Sequence, residues 1–170
     1  MPNLIIETGV SVANANTYVE VEFVREFADL RGIELPVDDV PIEEALIKAF
    51  DYIESRETDF SGDRMSENSV FPRQGCVLFG NEIANTSIPR NLKYAQAQAA
   101  IILIQGVELQ RVVEAGDYVS EEKIGPLTVK YADPLSVGID ASFGPVEDLL
   151  KPLFPQSKPG AFGGFSAVRV

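Results

Sequence analysis

A chain of 170 residues with 45% apolar and 24% charged side chains is long enough for one domain with a real core and short for two. Its formal net charge of −12, from 26 acidic and 14 basic side chains, speaks against a general binder of nucleic acid or of anionic membranes, both of which draw on lysine and arginine. There is no histidine, which excludes Ser–His and Cys–His nucleophile pairs and histidine-ligated metals. The single cysteine, Cys76, cannot form an internal disulfide and reads as a small packed residue. MPNLIIETG lacks the basic region and long apolar run of a signal peptide, so synthesis in the cytoplasm is expected.

Asn3 to Ile6 reads as a short strand, followed by the polar, turn-rich GVSVANANT. A first helix is expected from Glu20 to Arg31, closed by Gly32 in a left-handed cap. Phe23, Val24, Phe27 and Leu30 would form its buried face, opposite Glu22, Arg25, Glu26 and Asp29. A second helix runs from Pro41 to about Glu57, with Glu43 and Glu44 in the first turn, where carboxylates complement the dipole. Ile42, Ala45, Leu46, Ala49, Phe50 and Ile53 recur along it at the spacing of one buried stripe. Glu43, Glu44, Asp51, Glu54 and Glu57 then read as a solvated face. Metal-binding carboxylates usually converge from several elements, and these come from one.

Residues 58–86 show no sustained helical period and carry SGD, FPRQG, FGN and ANTS turn signals, so a structured excursion folded back on the helices is expected. DFSGD, at 59–63, lacks the alternating ligands and terminal glutamate of a calcium loop and reads as a turn. Ile88 to Gln105 is the stretch around which the rest is organised. Pro89 suits a first turn, and from Ala99 to Ile104 the sequence is apolar on every face, as in a helix enclosed by other elements. Gly106 closes it, and the apolar run is far short of the roughly 20 residues a membrane span needs. Tyr118 to Tyr131 reads as a β-hairpin about Gly125-Pro126, and Pro145 to Leu153 as a short helix with Val146, Leu149, Leu150 and Leu153 on one side.

Three cations stand out. Arg73 belongs to FPR and Arg90 to IPR, and Arg90 and Lys93 lie in a first helical turn, where the dipole does not favour positive charge. Arg73, Arg90 and Lys93 are therefore candidates for salt bridges, internal or to a neighbouring subunit. The last segment, 155–170, has no acidic side chain and carries Lys158, Phe162, Phe165 and Arg169 among glycines, ending in the alternating GFSAVRV. A basic, apolar, flexible segment on an acidic body suits docking by strand addition. The expected architecture is mainly α: a compact helical bundle around a central apolar helix, spanning 1–154 with a hairpin at about 118–131, and an extended C-terminal tail at 155–170. No internal repeat and no second domain is visible.

ANANTYV, EEALIKAFDYIESRE, VFPRQG, IPRNLKYAQAQAA, the EKIGPLTVKY hairpin and the glycine-rich end, in this order, resemble a group of tailed-phage proteins over nearly the whole chain. That group is often labelled DnaT-like single-stranded-DNA-binding protein, and it is similar to the head–tail adaptor (connector) proteins that sit under the portal. The resemblance implies a mainly helical fold with a small hairpin. It also implies assembly into a ring of twelve subunits in the virion neck, between the portal and a tail or stopper protein, with no catalysis and no cofactor. The C-terminal segment, with Lys158, Phe162, Phe165 and Arg169, would reach onto the portal. The DnaT-like label implies instead a replication accessory that binds single-stranded DNA. From Glu20 to Glu67, fifteen acidic and five basic residues leave a local net of −10, which suits a channel along which genomic DNA slides without sticking. The adaptor is the favoured expectation on that ground.

Overall fold

In the computed structural model, described here for residues 2–107, 109, 121–124, 127–130 and 144–155, four helices and three two-stranded antiparallel hairpins follow one another along the chain. The protein is mainly helical, and the strands are short. Helix α1 spans Val21–Asp29, α2 Val40–Ser55, α3 Arg90–Ile104 and α4 Gly144–Leu150. A one-turn 3-10 helix follows α2 at Glu57–Asp59, and another follows α4 at Lys151–Leu153.

Helix α3 packs against α1, α2 and α4 and so occupies the centre. Alanine is the reason it can. Ala95, Ala97, Ala99 and Ala100 are all fully buried and let the backbones approach, while Leu92 and Ile101 fill the space between. Ile102, Leu103 and Ile104 are only half-buried, so the stretch expected to be enclosed on every face is closed at Ala99, Ala100 and Ile101 and partly open beyond. The stripe on α2 is buried throughout: Ile42, Leu46, Ala49 and Ile53 are inaccessible and Ala45 and Phe50 nearly so. Each large member contributes about 1.5–3 kcal/mol of apolar burial relative to exposure.

Both expected glycine caps are present. At the end of α3, Gly106 takes φ +84°, its N–H donates to Leu103 and that of Val107 donates to Ile102. At the end of α1, Gly32 takes φ +64°, and the N–H groups of Gly32 and Ile33 donate to Asp29 and Ala28. Because this cap draws the chain out early, α1 ends at Asp29 rather than Arg31. Leu30, expected in the buried face, lies beyond the last turn and is 85% exposed.

The excursion between α2 and α3 folds back on the body as expected, through Phe60, Val70, Phe71 and Cys76, all buried. Strand β1 (Asp63–Arg64) pairs with β2 (Arg73–Gln74), and β3 (Val77–Leu78) with β4 (Asn81–Glu82). The Phe71–Pro72 peptide is cis. Rings of Phe60, Phe71 and Phe154 meet edge to face, at 5.1 Å for Phe60–Phe71 and 5.6 Å for Phe60–Phe154. Ser61 donates both its backbone N–H and its hydroxyl to the Leu153 carbonyl, each at 2.9 Å, which closes the excursion against the end of α4. Strands β5 (Glu121–Ile124) and β6 (Leu127–Lys130) form the expected hairpin about residues 125–126. Val146, Leu150 and Leu153 are buried and Leu149 is half-buried. The tail residues Lys158, Phe162, Phe165 and Arg169 lie outside the described residues.

Candidate functional site

Two groups of polar side chains divide the molecule, one internal and one on the surface. The internal group is built around Glu7, Tyr18, Glu54 and Gln96. Glu7 is 1% exposed, and a loop wraps its carboxylate with backbone donors: Gly9 N–H and Ser11 N–H reach Oε1 at 2.8 and 3.0 Å, and Val12 N–H reaches Oε2 at 2.7 Å. Ser69 adds its hydroxyl at 3.1 Å. The wrap requires left-handed backbone at Gly9 (φ +104°), where a Cβ would stand 2.1 Å from the Thr86 carbonyl oxygen, so glycine alone fits.

Tyr18 donates its hydroxyl to Glu54 Oε1 at 2.6 Å, and the Val70 N–H donates to both Glu54 oxygens at 2.9 Å. The Phe71 N–H in turn donates to the Tyr18 hydroxyl at 3.3 Å. Burial pushes the Tyr18 phenol well above its usual range, with the Glu54 carboxylate adding to the shift. Burial also raises the Glu54 carboxyl, although the bonds from Tyr18 and Val70 oppose it. Glu54 was expected on the solvated face of α2. It turns inward instead, because Tyr18 of the N-terminal segment and Val70 of the excursion bring donors against the last turn of that helix.

Gln96 sits fully buried in α3 and uses both ends of its amide. It accepts from the Tyr18 N–H at 2.8 Å and donates to Thr17 Oγ1 and to the Leu46 carbonyl, both at 3.0 Å. One side chain thus ties the N-terminal segment, α2 and α3 together. Asn16 completes the tie at the surface, bonding Ile5 N–H at 2.7 Å and the Asn3 carbonyl at 2.9 Å. Sequence reading passed over Glu7 and Gln96. The available signal was their polarity in otherwise apolar or turn-rich surroundings, where a buried side chain must find partners.

The three singled-out cations are not brought together. Arg73 is 7% exposed and donates to backbone carbonyls, Ser61 at 2.9 Å and Gly62 at 2.6 Å, so it braces the β1–β2 hairpin from beneath. Arg90 is exposed at the start of α3 and lies over the Tyr94 ring, 4.7 Å from its centroid, with a bond to the Tyr94 hydroxyl. Lys93 is half-buried. Among the described residues no carboxylate lies within ion-pair distance of any of the three.

The outer group is acidic. Between Glu20 and Glu67, Glu20, Glu22, Glu26, Asp29, Glu34, Asp38, Asp39, Glu44, Asp51, Asp63 and Glu67 are all exposed. The cations of the same stretch are largely engaged within the fold. Arg25 holds Asp39 and the carbonyls of Pro36 and Val37, Arg56 bridges Asp59 and the buried Glu147, and Arg64 pairs with Glu57. Arg31 lies over the Phe27 ring at 3.4 Å. The outward field of this region is therefore negative. An open groove of about 560 Å³ beside the end of α1 is lined by Ala28, Ile33 and Leu35 with Arg25, Glu26, Asp29 and Glu34. Among the described residues no group of three His, Cys, Asp or Glu could hold a metal ion, and no helix is long and apolar enough to cross a membrane. Cys76 is buried and its thiol is pushed up by that burial, which disfavours the reactive thiolate.

No curated protein and no solved structure gives a match to the chain. A family model described as "Putative DnaT-like ssDNA binding protein" matches residues 2–170, nearly the whole sequence, and the chain belongs to that family.

Proposed function

We propose that this chain is a structural protein of a tailed-phage virion. In this reading it is a head–tail adaptor protomer that forms a ring, of twelve subunits, joining the portal to a tail or stopper protein in the neck. DNA passes through the ring without sequence-specific binding, and the protein has no catalytic role and needs no cofactor or membrane. The observation that carries this reading is the exposed carboxylate surface of residues 20–67, whose arginines are mostly committed to internal partners. Duplex DNA is held by neutralising its phosphates, so a wall of this sign lets it slide. The residues behind the family resemblance support the reading in a second way. Thr17, Tyr18, Glu54, Phe71, Arg73 and Gln96 brace the fold from inside, so what they specify is a scaffold.

The family's description favours another reading, a replication accessory that binds single-stranded DNA. Such binders pair a positive groove with aromatic rings on which bases stack, and their affinity falls steeply with salt. Mixing the purified protein with the cognate portal and imaging the product by electron microscopy separates the two. The adaptor reading expects a ring stacked on one end of the portal, and loss of docking with retained fold when residues after Pro155 are removed. Undiminished docking by that shortened chain removes the role given to Lys158, Phe162, Phe165 and Arg169. No association with the portal, together with salt-sensitive oligonucleotide binding, replaces the adaptor by the DNA binder.

A further inference from the structure

The tip of the β3–β4 hairpin carries a residue that neither the turn nor solvation favours. The register Val77↔Glu82 and Leu78↔Asn81 leaves a two-residue loop, Phe79-Gly80, with φ +50° and +82°. Positive φ at both central positions is the turn that matches strand twist, and it selects Asn-Gly or Asp-Gly. A phenylalanine in left-handed backbone is strained, because its Cβ crowds the following carbonyl. Burial of the ring would offset that strain in an ordinary core position. Here the residue is 70% exposed. A lone exposed apolar residue needs no explanation by itself. One held in an unfavourable backbone conformation, with its ring mostly in water, gains little from its own fold, and such outliers gather at functional sites.

The surroundings say what would use it. Phe79 and Gly80 line a shallow depression with Lys151 and Pro152, because β3 packs on the 3-10 turn that ends α4. Residues 156–170 follow only a few positions later in the chain. The aromatic tip thus stands beside the point from which the basic, phenylalanine-containing segment sets out. The geometry points to Phe79, which shares this depression with Pro152 and Lys151, as an anchor for the same protein partner that the C-terminal segment engages. The complementary surface is an apolar pocket flanked by a carboxylate able to meet Lys151, whose ammonium already bonds Asp148 at 2.7 Å. This rests on the adaptor reading and deepens it by adding a second, structured contact.

The experiment compares full-length wild type, Phe79→Asn and Val37→Asn for binding to the purified portal and for thermal unfolding. Asparagine suits the turn better than phenylalanine, so Phe79→Asn is expected to raise Tm by roughly 2–4 °C. Loss of an aromatic anchor is expected to weaken portal binding about tenfold or more. The two effects have opposite signs, so misfolding cannot imitate them. Val37 is 98% exposed between α1 and α2 and serves as an exposed apolar control whose replacement leaves binding unchanged. Equal portal affinity of Phe79→Asn and wild type overturns the inference and leaves the adaptor reading standing. A lowered Tm also overturns it, since the ring would then serve the fold. Failure of wild type itself to bind the portal overturns the adaptor reading. Oligonucleotide binding that drops in Phe79→Asn reassigns the ring to base stacking.

Discussion

Glu7 and Glu54 on one side, and Glu22, Glu26 and Glu44 on the other, are the same side chain in two settings. The first pair is turned inward: Glu7 takes backbone donors from its own loop and the distant Ser69 hydroxyl, and Glu54 takes donors from Tyr18 and Val70. The second set faces water along α1 and α2. An inward carboxylate fixes which backbone segments meet, since leaving it without donors would be costly. An outward one scarcely touches the fold and sets the field that a passing polyanion meets. Glu54 and its partners Tyr18 and Val70 lie in stretches that carry the resemblance, and the proposed function rests on the outer set.

Breaking the inner set should be far more damaging than editing the outer one. The largest effect is expected at Gln96→Leu, which strips the Tyr18 N–H and the Leu46 carbonyl of a buried partner. A loss of about 3 kcal/mol or more, read from urea unfolding, is expected from the orphaned groups. Arg73→Met should follow with about 2 kcal/mol, because the carbonyls of Ser61 and Gly62 lose charge-assisted donors while the aliphatic packing is kept. A loss below about 0.5 kcal/mol in either would remove the distinction between inside and outside.

Glu54 sharpens the contrast through pH. Its folded-state carboxyl is raised, chiefly by burial, so the folded protein holds that proton more tightly than the unfolded chain does. The contribution of this group is therefore most favourable at low pH and declines as pH climbs from the ordinary glutamate range through the folded value. Glu54→Gln should abolish that decline. Comparing unfolding midpoints of the two proteins at about pH 4 and about pH 7 tests it, and a difference that does not vary with pH refutes the assignment. The smallest effects are expected outside: replacing Glu22, Glu26 and Glu44 by glutamine should change stability by no more than about 0.5 kcal/mol each. The same triple replacement should raise retention of duplex DNA on a filter at low salt if the acidic face keeps DNA from sticking.

Much of the scaffold was legible because periodicity and caps are local signals. The stripe on α2, the enclosed α3, both glycine caps and the 121–130 hairpin follow from residues close together in sequence. Leu30 was misplaced because the helix ends at Asp29, two residues sooner than the apolar pattern suggests. Glu54 was misplaced because its donors come from Tyr18 and Val70, and no local pattern announces a partner 36 residues away. Arg73 read as half of an ion pair, yet its Nε and Nη2 donate to backbone carbonyls brought up by the excursion, while its buried Nη1 has no partner among the described residues. Phe79 was read only as part of the FGN turn signal, since its oddity lies in the sign of φ and in exposure, neither of which a sequence displays.

The bond from Ser61 to Leu153, with the packing of α4 on α3, has a consequence for how the chain matures on the ribosome. Helix α3 is synthesised whole while the element that covers one of its sides is still untranslated, because residues 105–143 come between. At about 5–20 residues per second that interval lasts roughly 2–8 s, ample time for an exposed apolar helix to find a wrong neighbour. Nascent chains halted before Gly144 should therefore carry an open apolar flank and recruit chaperones, and chains released past Phe154 should not.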